Sequence, residues 1–295
     1  MKHLIPFSAA ALILLGGCGG STLSSGGGGG GGSSTGRIAF SDKEGARFRI
    51  WTVALPTTDV KLQAASATAS NEMPSLSPDG TKLAFISNRS GSREVYVMTV
   101  NQDASLTRLT FDTDEDRNPT WISNSRIAWS KAVGGGDREI VAMNIDGSGF
   151  LQLTTNAVED DFPAASRDGS QLAYIQLGAG SGHTIHRLPA GGGASTLVAA
   201  IATNRPSLAW QDNSTLLYTA LNAGVESCAR MSSTGASPSV ITEGWGPKAS
   251  AGGGRIIFAR THLGLPQLFT STLSGGDVKL YSQSAEGVFG WDWRG

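Results

Sequence analysis

The chain has 295 residues, which is long for one ordinary core but common for a repetitive all-β architecture. Charged residues make up 16% of the chain and the net charge is −1, so the basic excess typical of nucleic-acid-binding proteins is absent. The two cysteines, Cys18 and Cys228, are too few for a disulfide scaffold. Composition therefore argues against a nucleic-acid-binding protein and against a small disulfide-stabilised domain.

The first 20 residues have the features of a targeting segment. Lys2 precedes a mostly apolar run over 4–15, which has the length of a signal-peptide core and is shorter than the roughly 20 residues that span a bilayer. The run ends in Leu-Gly-Gly-Cys at 15–18, which resembles the bacterial lipobox. The resemblance implies that residues 1–17 are removed and that Cys18 is acylated. An ordinary signal peptide that happens to contain a cysteine is the alternative.

A Gly/Ser/Thr-rich segment follows over 19–36, with an unbroken glycine run at 26–32. Such a segment cannot bury apolar surface, so it is expected to be a flexible tether with a reach of roughly 23 Å. We therefore divide the chain into a signal peptide (1–17), a lipidated cysteine with its tether (18–36) and one domain (37–295).

A short pattern recurs along the domain: a polar residue, an aliphatic residue, a small or aliphatic residue and an aromatic residue. The six copies begin at Arg37, Lys82, Arg126, Gln171, Thr215 and Arg255. Because side chains alternate between the faces of a strand, both faces of this strand are apolar. Such a strand must be covered on both sides, as it is when a sheet packs between two neighbouring sheets.

A second element precedes most of these strands at a fixed offset. It begins with a proline, at Pro74, Pro119, Pro163, Pro206 and Pro247. In the clearest copy, Ser-Pro-Asp-Gly at 77–80 provides the residues that a tight turn requires, and a similar turn occurs at 166–169. Each unit also contains two further short strands, and four short strands at a period of 40–45 residues indicate a β-propeller.

The two ends of the domain predict the number of blades. The strand at 37–40 has no proline-led strand before it, and the segment at 288–293 aligns with the proline-led strands, with Trp291 at the position of Trp121. The C-terminal strand can therefore complete the N-terminal blade and remove a free sheet edge. The predicted fold is all-β, a closed six-bladed propeller of four-stranded blades.

The repeat, Pro-x-Leu/Trp-Ser-Pro-Asp-Gly followed by Leu-Ala-Phe, a strand ending in Met and then Leu-Thr, looks like the TolB-type propeller repeat. The resemblance covers about 37–295 and is strongest at 71–110, 115–154 and 159–175. It weakens in the last two units, where Ala-Gly-Gly-Gly at 251–254 replaces the Asp-Gly turn. The α/β domain of TolB has no counterpart before the propeller, so the resemblance implies a TolB-like propeller, and protein partners in the periplasm only by analogy.

Residues with catalytic or ligating chemistry are few. His183 and His186 are three residues apart on a strand, so their side chains point to opposite faces and surface histidines are the better interpretation. No metal, cofactor or catalytic residue is predicted. Cys228 is expected to be a small buried core residue. Trp245 and Trp293 depart from the repeat and are candidates to line the mouth of the channel.

One group of charged residues recurs with the repeat. The segments that lead into five of the six first strands carry an acidic residue, at Glu72, Asp116, Asp161, Glu243 and Glu286. If these segments ring one end of the axis, they concentrate a negative potential that would bind a basic partner segment or a cation. The ring is interrupted at 203–205. Ordinary loop polarity is the alternative explanation.

The sequence thus favours a monomeric, non-enzymatic protein-interaction or scaffold module that binds an envelope protein through its propeller and the membrane through lipid on Cys18. Gly19 rather than an aspartate follows the cysteine, which favours the outer membrane, with the propeller in the periplasm or at the cell surface. The alternative function is a glycan or small-molecule lyase or hydrolase that uses carboxylates at the channel mouth.

Overall fold

A computed structural model describes residues 36–55, 59–134, 136–282 and 284–294, so the predicted signal peptide, Cys18 and most of the tether lie outside the described residues. The described residues contain no helix that is long and apolar enough to cross a membrane. They form 24 strands, which in chain order are β1 (Gly36–Glu44), β2 (Arg47–Leu55), β3 (Asp59–Gln63), β4 (Asn71–Leu76), β5 (Lys82–Ser87), β6 (Glu94–Thr99), β7 (Gln102–Arg108), β8 (Asp116–Ser123), β9 (Arg126–Ala132), β10 (Arg138–Asn144), β11 (Leu151–Gln152), β12 (Asp160–Ala165), β13 (Gln171–Leu177), β14 (Gly182–Pro189), β15 (Thr196–Ala202), β16 (Leu208–Trp210), β17 (Thr215–Asn222), β18 (Val225–Ser232), β19 (Ser239–Glu243), β20 (Trp245–Ala249), β21 (Arg255–His262), β22 (Leu265–Thr272), β23 (Lys279–Leu280) and β24 (Val288–Arg294).

These strands form six four-stranded antiparallel sheets, which we call blades I to VI. Blade I contains β24, β1, β2 and β3 in that spatial order, and blades II to VI contain consecutive strands that start at β4, β8, β12, β16 and β20. The first strand of each blade contacts the first strand of the next blade, so these six strands surround a central axis. The predicted six-bladed propeller is confirmed.

The ring closes through β24, which pairs antiparallel with β1 and places Trp293 opposite Ile38. In blade III, Trp121 faces Ile127, the equivalent of Ile38 in the repeat. The structural counterpart of Trp121 is therefore Trp293, and the alignment of Trp121 with Trp291 was wrong. Trp291 instead takes the place of the repeat proline, because the bulge at Gly290 in β24 corresponds to the bulge at Asn118 in β8.

The core lies between the blades, as strand β5 shows. Its Leu83 and Phe85 are fully buried in a cluster that includes residues of blade I, whereas Ala84 and Ile86 pack with residues of blade III. Each second strand is thus covered on both faces, as the alternation of its side chains predicts. Since no blade can bury both faces alone, the six blades depend on each other for stability.

The turns between the first and second strands of blades II, IV and VI share one geometry, although the sequence of blade VI departs from the repeat. In blade II, the amide of Gly80 donates to the carbonyl oxygen of Ser77 at 2.8 Å, and Gly80 has a φ of 68°. In blade VI, Gly253 donates to Ser250 at the same distance and has the same φ. Glycine adopts this left-handed conformation without strain, so Gly253 replaces the missing Asp-Gly pair.

Candidate functional site

A repeated bulge shapes the inner wall of the propeller where the first strands begin, which we call the mouth end. In blades II, III, IV and VI, the pairing of the first strand skips two residues, the second of which is the repeat proline. The residues before the proline, and Gly290 in blade I, have positive φ angles: Met73, Asn118, Phe162, Gly246 and Gly290. Bulges of this kind re-aim side chains, and in blades II to IV the bulged residues Met73, Asn118 and Phe162 line the axial cavity.

The axis contains a cavity of about 420 Å³. All six first strands contribute to its wall, together with the segments that lead into β16. The mouth residues Met73, Asn118, Phe162 and Arg205 line it, as do the prolines that follow them. This volume is within the range of about 300–1,000 Å³ that small-ligand pockets occupy.

Aromatic and cationic side chains dominate one side of the mouth. The guanidinium of Arg205 lies 4.2 Å from the ring centroid of Trp245, a cation–π stack. Phe289 is 36% exposed and contacts Phe48 edge to face, with ring centroids 5.3 Å apart. The mouth therefore combines an exposed apolar surface with a fixed positive charge, between blades V, VI and I.

Indole groups fasten the wall at alternate junctions between blades. Trp121 donates to the carbonyl oxygen of Ser75 in blade II at 3.0 Å, and Trp210 donates to that of Ala164 in blade IV at 2.9 Å. At the junction of blades VI and I, Trp291 donates to Gly246 at 2.7 Å. A β-carbon on Gly246 would lie 2.3 Å from the Trp291 ring, so only glycine fits there.

The interior of the channel carries three charged residues close together. Lys248 donates from Nζ to the carbonyl oxygen of Leu208 at 3.1 Å. Asp292 accepts from the backbone amide of Leu76 at 2.9 Å, and Arg294 Nε lies 3.7 Å from its carboxylate. Burial lowers the pKa of Lys248, the nearby carboxylate of Asp292 raises it, and the charge of Arg294 lowers it further.

These three residues were not among the predicted site residues. The position after the repeat proline is small in blades II to V, where it is Ser75, Thr120, Ala164 and Ser207, but in blade VI it is Lys248. Asp292 occupies the equivalent place in blade I, opposite Ala39. A charged residue at a position that is otherwise small is the sequence signal that could have identified Lys248 and Asp292.

The opposite end of the channel, where the Asp-Gly turns lie, is called the turn end. Arg167 connects neighbouring blades at this end. Its guanidinium donates to the carbonyl oxygen of Gln211 in blade V at 2.6 Å, and to those of Ser250 and Ala251 in blade VI. One side chain of blade IV therefore links the turns of three successive blades. The charge of this arginine is close enough to Arg294 for the two to affect each other's electrostatics.

The five predicted acidic residues do not form one exposed ring. Asp116 is fully buried, and its carboxylate accepts from the indole of Trp129 at 2.7 Å and lies 3.8 Å from Lys131 Nζ. Burial raises the pKa of Asp116 to about 6, although a hydrogen bond from Thr110 and the charge of Lys131 act in the opposite direction. Asp116 is held inside the junction of the strands and is not available on a rim.

Asp161 and Glu72 are also engaged within the protein. Asp161 is buried and accepts from Asn118 Nδ2 at 2.8 Å, from the Ser130 hydroxyl and from the backbone amide of Phe162. It joins blades III and IV and supports the bulge. Glu72 is half-buried and forms an ion pair with Arg93.

Glu243 and Glu286 are the two predicted acidic residues that lie exposed. Glu243 ends β19, and its backbone carbonyl accepts from Arg260. Glu286 accepts from the amide of Gly45 at 3.0 Å, which ties the last connection to blade I. Partner binding through these two residues stays a prediction.

The interpretation of the histidines needs one correction. His183 is buried rather than on the surface, with Nε2 3.2 Å from the carbonyl oxygen of Thr203 and Nδ1 accepting from Gly178. The predicted role of Cys228 is confirmed, because the thiol is fully buried and burial raises its pKa. The described residues contain no cluster of three or more potential metal ligands among His, Cys, Asp and Glu.

The geometry thus defines a class of protein: a closed six-bladed propeller with an axial channel that has charged groups inside and an aromatic mouth. The sequence pattern of the TolB beta propeller domain (PD40) matches residues 32–247. This chain belongs to the TolB β-propeller family.

Individual relatives show the same relation. The chain is 30% identical over 102 residues to a protein TolB homolog of Chlorobium luteolum, a match that covers 35% of this chain and 23% of that protein. The structure of TolB from Acinetobacter baumannii superposes with a TM-score of 0.76 at 16% identity, covering 89% of this chain and 67% of that one. A putative TolB from Agrobacterium tumefaciens gives 0.68 at 17% identity, covering 88% and 92%. These structures share the fold.

Proposed function

We propose that this protein is a non-enzymatic interaction module of the bacterial envelope and that it binds a protein partner at the mouth end of its channel. The observation that carries the proposal is the lining of the opening, where Met73 and Phe162 on bulged first strands and Arg205 before β16 lie with Trp245 and Phe289. Rigid aromatic side chains around a concave opening provide contact area at small entropic cost, which is typical of protein-binding sites.

The channel offers less support for the alternative of a hydrolase or lyase. Asp292 is the only carboxylate among the described residues that line the cavity, and it already accepts a backbone hydrogen bond from Leu76. Acid–base catalysis on a glycan would use two carboxylates about 5–9 Å apart. The arrangement therefore favours binding.

The mouth is tested by partner capture with matched variants. Mature protein would be used to capture partners from detergent-solubilised envelope, and Phe289→Ser and Arg205→Gln are expected to lose most of the partner that the wild type recovers. The control is Phe150→Ser, since Phe150 is 55% exposed but lies on the connection after β10 at the turn end. Equal loss in the control, or full recovery by both mouth variants, would overturn the proposal.

The two exposed carboxylates provide a separate arm of the same experiment. If the partner segment is basic, as the acidic residues around the mouth led us to expect, Glu243→Gln combined with Glu286→Gln should reduce capture and weaken its dependence on salt. Unchanged capture by this double variant would show that the two acidic residues do not contribute to partner binding, and it would not contradict binding at the aromatic mouth.

The envelope location rests on TolB likeness and, for its finer details, on the lipobox-like sequence before Cys18. We propose that lipid on this cysteine holds the propeller at the outer membrane, because one diacylglycerol and one acyl chain together give stable anchoring. Cys18→Ser is expected to move the protein from the membrane fraction to the soluble fraction and to abolish incorporation of radiolabelled palmitate. A wild type that incorporates no palmitate would refute the anchor.

A further inference from the structure

The junction of blades VI and I departs from the other indole-linked junctions inside the channel. At two other junctions, an indole N–H donates to the carbonyl oxygen of the residue after the repeat proline: Trp121 to Ser75, and Trp210 to Ala164. Trp293 has the same register in blade I, and the residue that its indole would reach by analogy is Lys248. Yet Nε1 of Trp293 is buried and has no hydrogen-bond acceptor among the described residues.

This missing hydrogen bond is unusual, because Trp293 is only 2% exposed and lines the channel. A buried indole N–H normally finds an acceptor, since leaving it without one costs about 1–3 kcal/mol. Arg294, the next residue, also has a buried Nε without a hydrogen bond. Both residues line the cavity, so two residues of its wall each carry a buried donor without an acceptor.

The charge in this part of the cavity is also unbalanced. Lys248 forms no ion pair within 4.0 Å among the described residues. The carboxylate of Asp292 accepts from the Leu76 amide and the Ser75 hydroxyl and lies 3.7 Å from Arg294 Nε. The two cations and one anion leave an excess of one positive charge. Arg205 at the mouth and Arg167 at the turn end add further positive potential along the axis.

A buried excess charge is unfavourable unless a counter-ion or hydrogen-bonding partner compensates it. A carboxylate has the chemistry that these groups lack, because it accepts hydrogen bonds from an indole N–H, a guanidinium and an ammonium, and it carries one negative charge. Lys248 lies on β20 and the other two donors lie on β24, the first strands of blades VI and I.

We propose that Lys248, Trp293 and Arg294 form a carboxylate-binding site inside the channel. The carboxylate belongs either to a small free organic acid or to an acidic group of a partner segment that enters through the mouth, since the cavity of about 420 Å³ can hold either. The site goes beyond the proposed interaction function, because it would bind a small acid whether or not a protein partner docks at the mouth.

The site is tested directly by NMR of the indole N–H groups. Mature ¹⁵N-labelled protein would be titrated with succinate, with sodium chloride adjusted to keep the ionic strength constant, and Trp293→Phe would assign the relevant signal among the seven tryptophans. We expect the Trp293 signal to shift in a saturable way. A shift that rises linearly without saturation would overturn the proposal.

Matched variants identify the groups responsible. Lys248→Met keeps the length of the side chain and removes the charge, and it is expected to weaken succinate binding at least about tenfold, the effect of one charge-assisted hydrogen bond. Lys279→Met is the control, since Lys279 is exposed on β23 and pairs with Asp277. Arg294→Gln provides a second test if the first variant does not fold. Equal affinity in the channel variants and the control would overturn the assignment.

The source of the carboxylate is distinguished with peptides. An N-acetylated tripeptide with a free carboxyl terminus is compared with its amidated form and with succinate. Tighter binding of the acid peptide than of succinate would indicate a partner segment, and tighter binding of succinate would indicate a free organic acid; both support the site. Equal affinity of the acid and amidated peptides would refute carboxylate recognition. No arm requires the protein partner, so failure here is separable from failure of the proposed function.

Discussion

Blades II to IV and blades V, VI and I place their charged groups in opposite environments. In blades II to IV, the carboxylates of Asp116 and Asp161 are buried in the wall and accept hydrogen bonds from neighbouring strands. In the other half, Arg205, Lys248 and Arg294 line the channel. One half of the ring uses charge to hold the wall together, and the other half presents charge to the space that the wall encloses.

The difference follows the regularity of the repeat. The units with the clearest Pro-to-Asp-Gly pattern have small side chains at the wall position after the proline, as at Ser75, Thr120 and Ala164. Blade V also has a small residue there, Ser207, but blade VI, which lacks the Asp-Gly pair, carries Lys248, and the closing blade I carries Asp292. The regular positions of the repeat therefore indicate the fold, whereas the departures from the repeat indicate the chemistry that distinguishes this propeller.

The largest loss of stability is expected from a substitution in β24, the strand that closes the ring. Trp291→Ala should lower the free energy of unfolding by about 3–5 kcal/mol, because it removes a buried aromatic group and the hydrogen bond to Gly246 and leaves a cavity beside that glycine. Urea denaturation would measure the loss. Phe111→Ala is the control, since Phe111 is 74% exposed and its replacement should cost within about 0.5 kcal/mol. Equal losses would contradict closure through β24.

The next effect is a dependence of stability on pH that comes from Asp116. Its folded-state pKa of about 6 lies above the roughly 3.9 of an unfolded aspartate, so the folded state binds the proton more tightly. Stability from this group is therefore present below about pH 4 and is lost as the pH rises to about 6. Asp116→Asn abolishes that loss.

Denaturation of both proteins at pH 4 and pH 7 would test this dependence. The difference in unfolding free energy between Asp116→Asn and the wild type should shift by about 2–3 kcal/mol in favour of the variant at pH 7. A difference that is the same at both pH values would show that the carboxyl group of Asp116 titrates near its ordinary pKa.

A third comparison separates buried from exposed carboxylates. Asp161→Asn should cost about 1–3 kcal/mol, because the charged oxygen that accepts from Asn118, Ser130 and Phe162 becomes a neutral amide oxygen. Glu243→Gln, at an exposed position, should change stability by less than about 0.5 kcal/mol. Thermal unfolding would rank the two variants. A loss of stability in Glu243→Gln as large as that in Asp161→Asn would contradict the difference between buried and exposed carboxylates.

The fold was predictable because its signals are local and repeated. The alternation of Leu83, Ala84 and Phe85 shows that both faces of a strand are buried, and the spacing of the prolines gives the number of blades. These patterns need no knowledge of distant contacts. The closing register was missed by two residues, because Trp291 and Trp293 both offer an aromatic side chain for the position of Trp121, and β24 has no proline to mark the register.

The site was harder to predict because burial depends on what neighbouring blades contribute. Asp116 and Asp161 occupy connections that look like polar loops, but each is covered by side chains of adjacent strands. The channel group arises where the last two first strands meet. Lys248 and Arg294 are 46 positions apart, so only the closed ring brings them near one another.

The smallest expected change in stability is also the most specific test, because it comes from comparing the same substitution at two equivalent positions, Trp121 and Trp293. Phenylalanine in place of either removes the indole N–H and a similar volume, so the packing losses should nearly cancel in the comparison. Trp121→Phe also leaves the Ser75 carbonyl without its donor and should cost about 1 kcal/mol more. Trp293→Phe breaks no hydrogen bond among the described residues.

Urea denaturation in chloride buffer would measure this difference, and repeating it with added succinate would connect it to the channel. If succinate occupies the site, it should stabilise the wild type by mass action and stabilise Trp293→Phe less. The difference in unfolding free energy between Trp293→Phe and Trp121→Phe should therefore become smaller. Succinate should stabilise Trp121→Phe as much as the wild type. If succinate leaves the difference in unfolding free energy between the two variants unchanged, the unpaired indole of Trp293 takes no part in ligand binding and is a local defect of the closing junction.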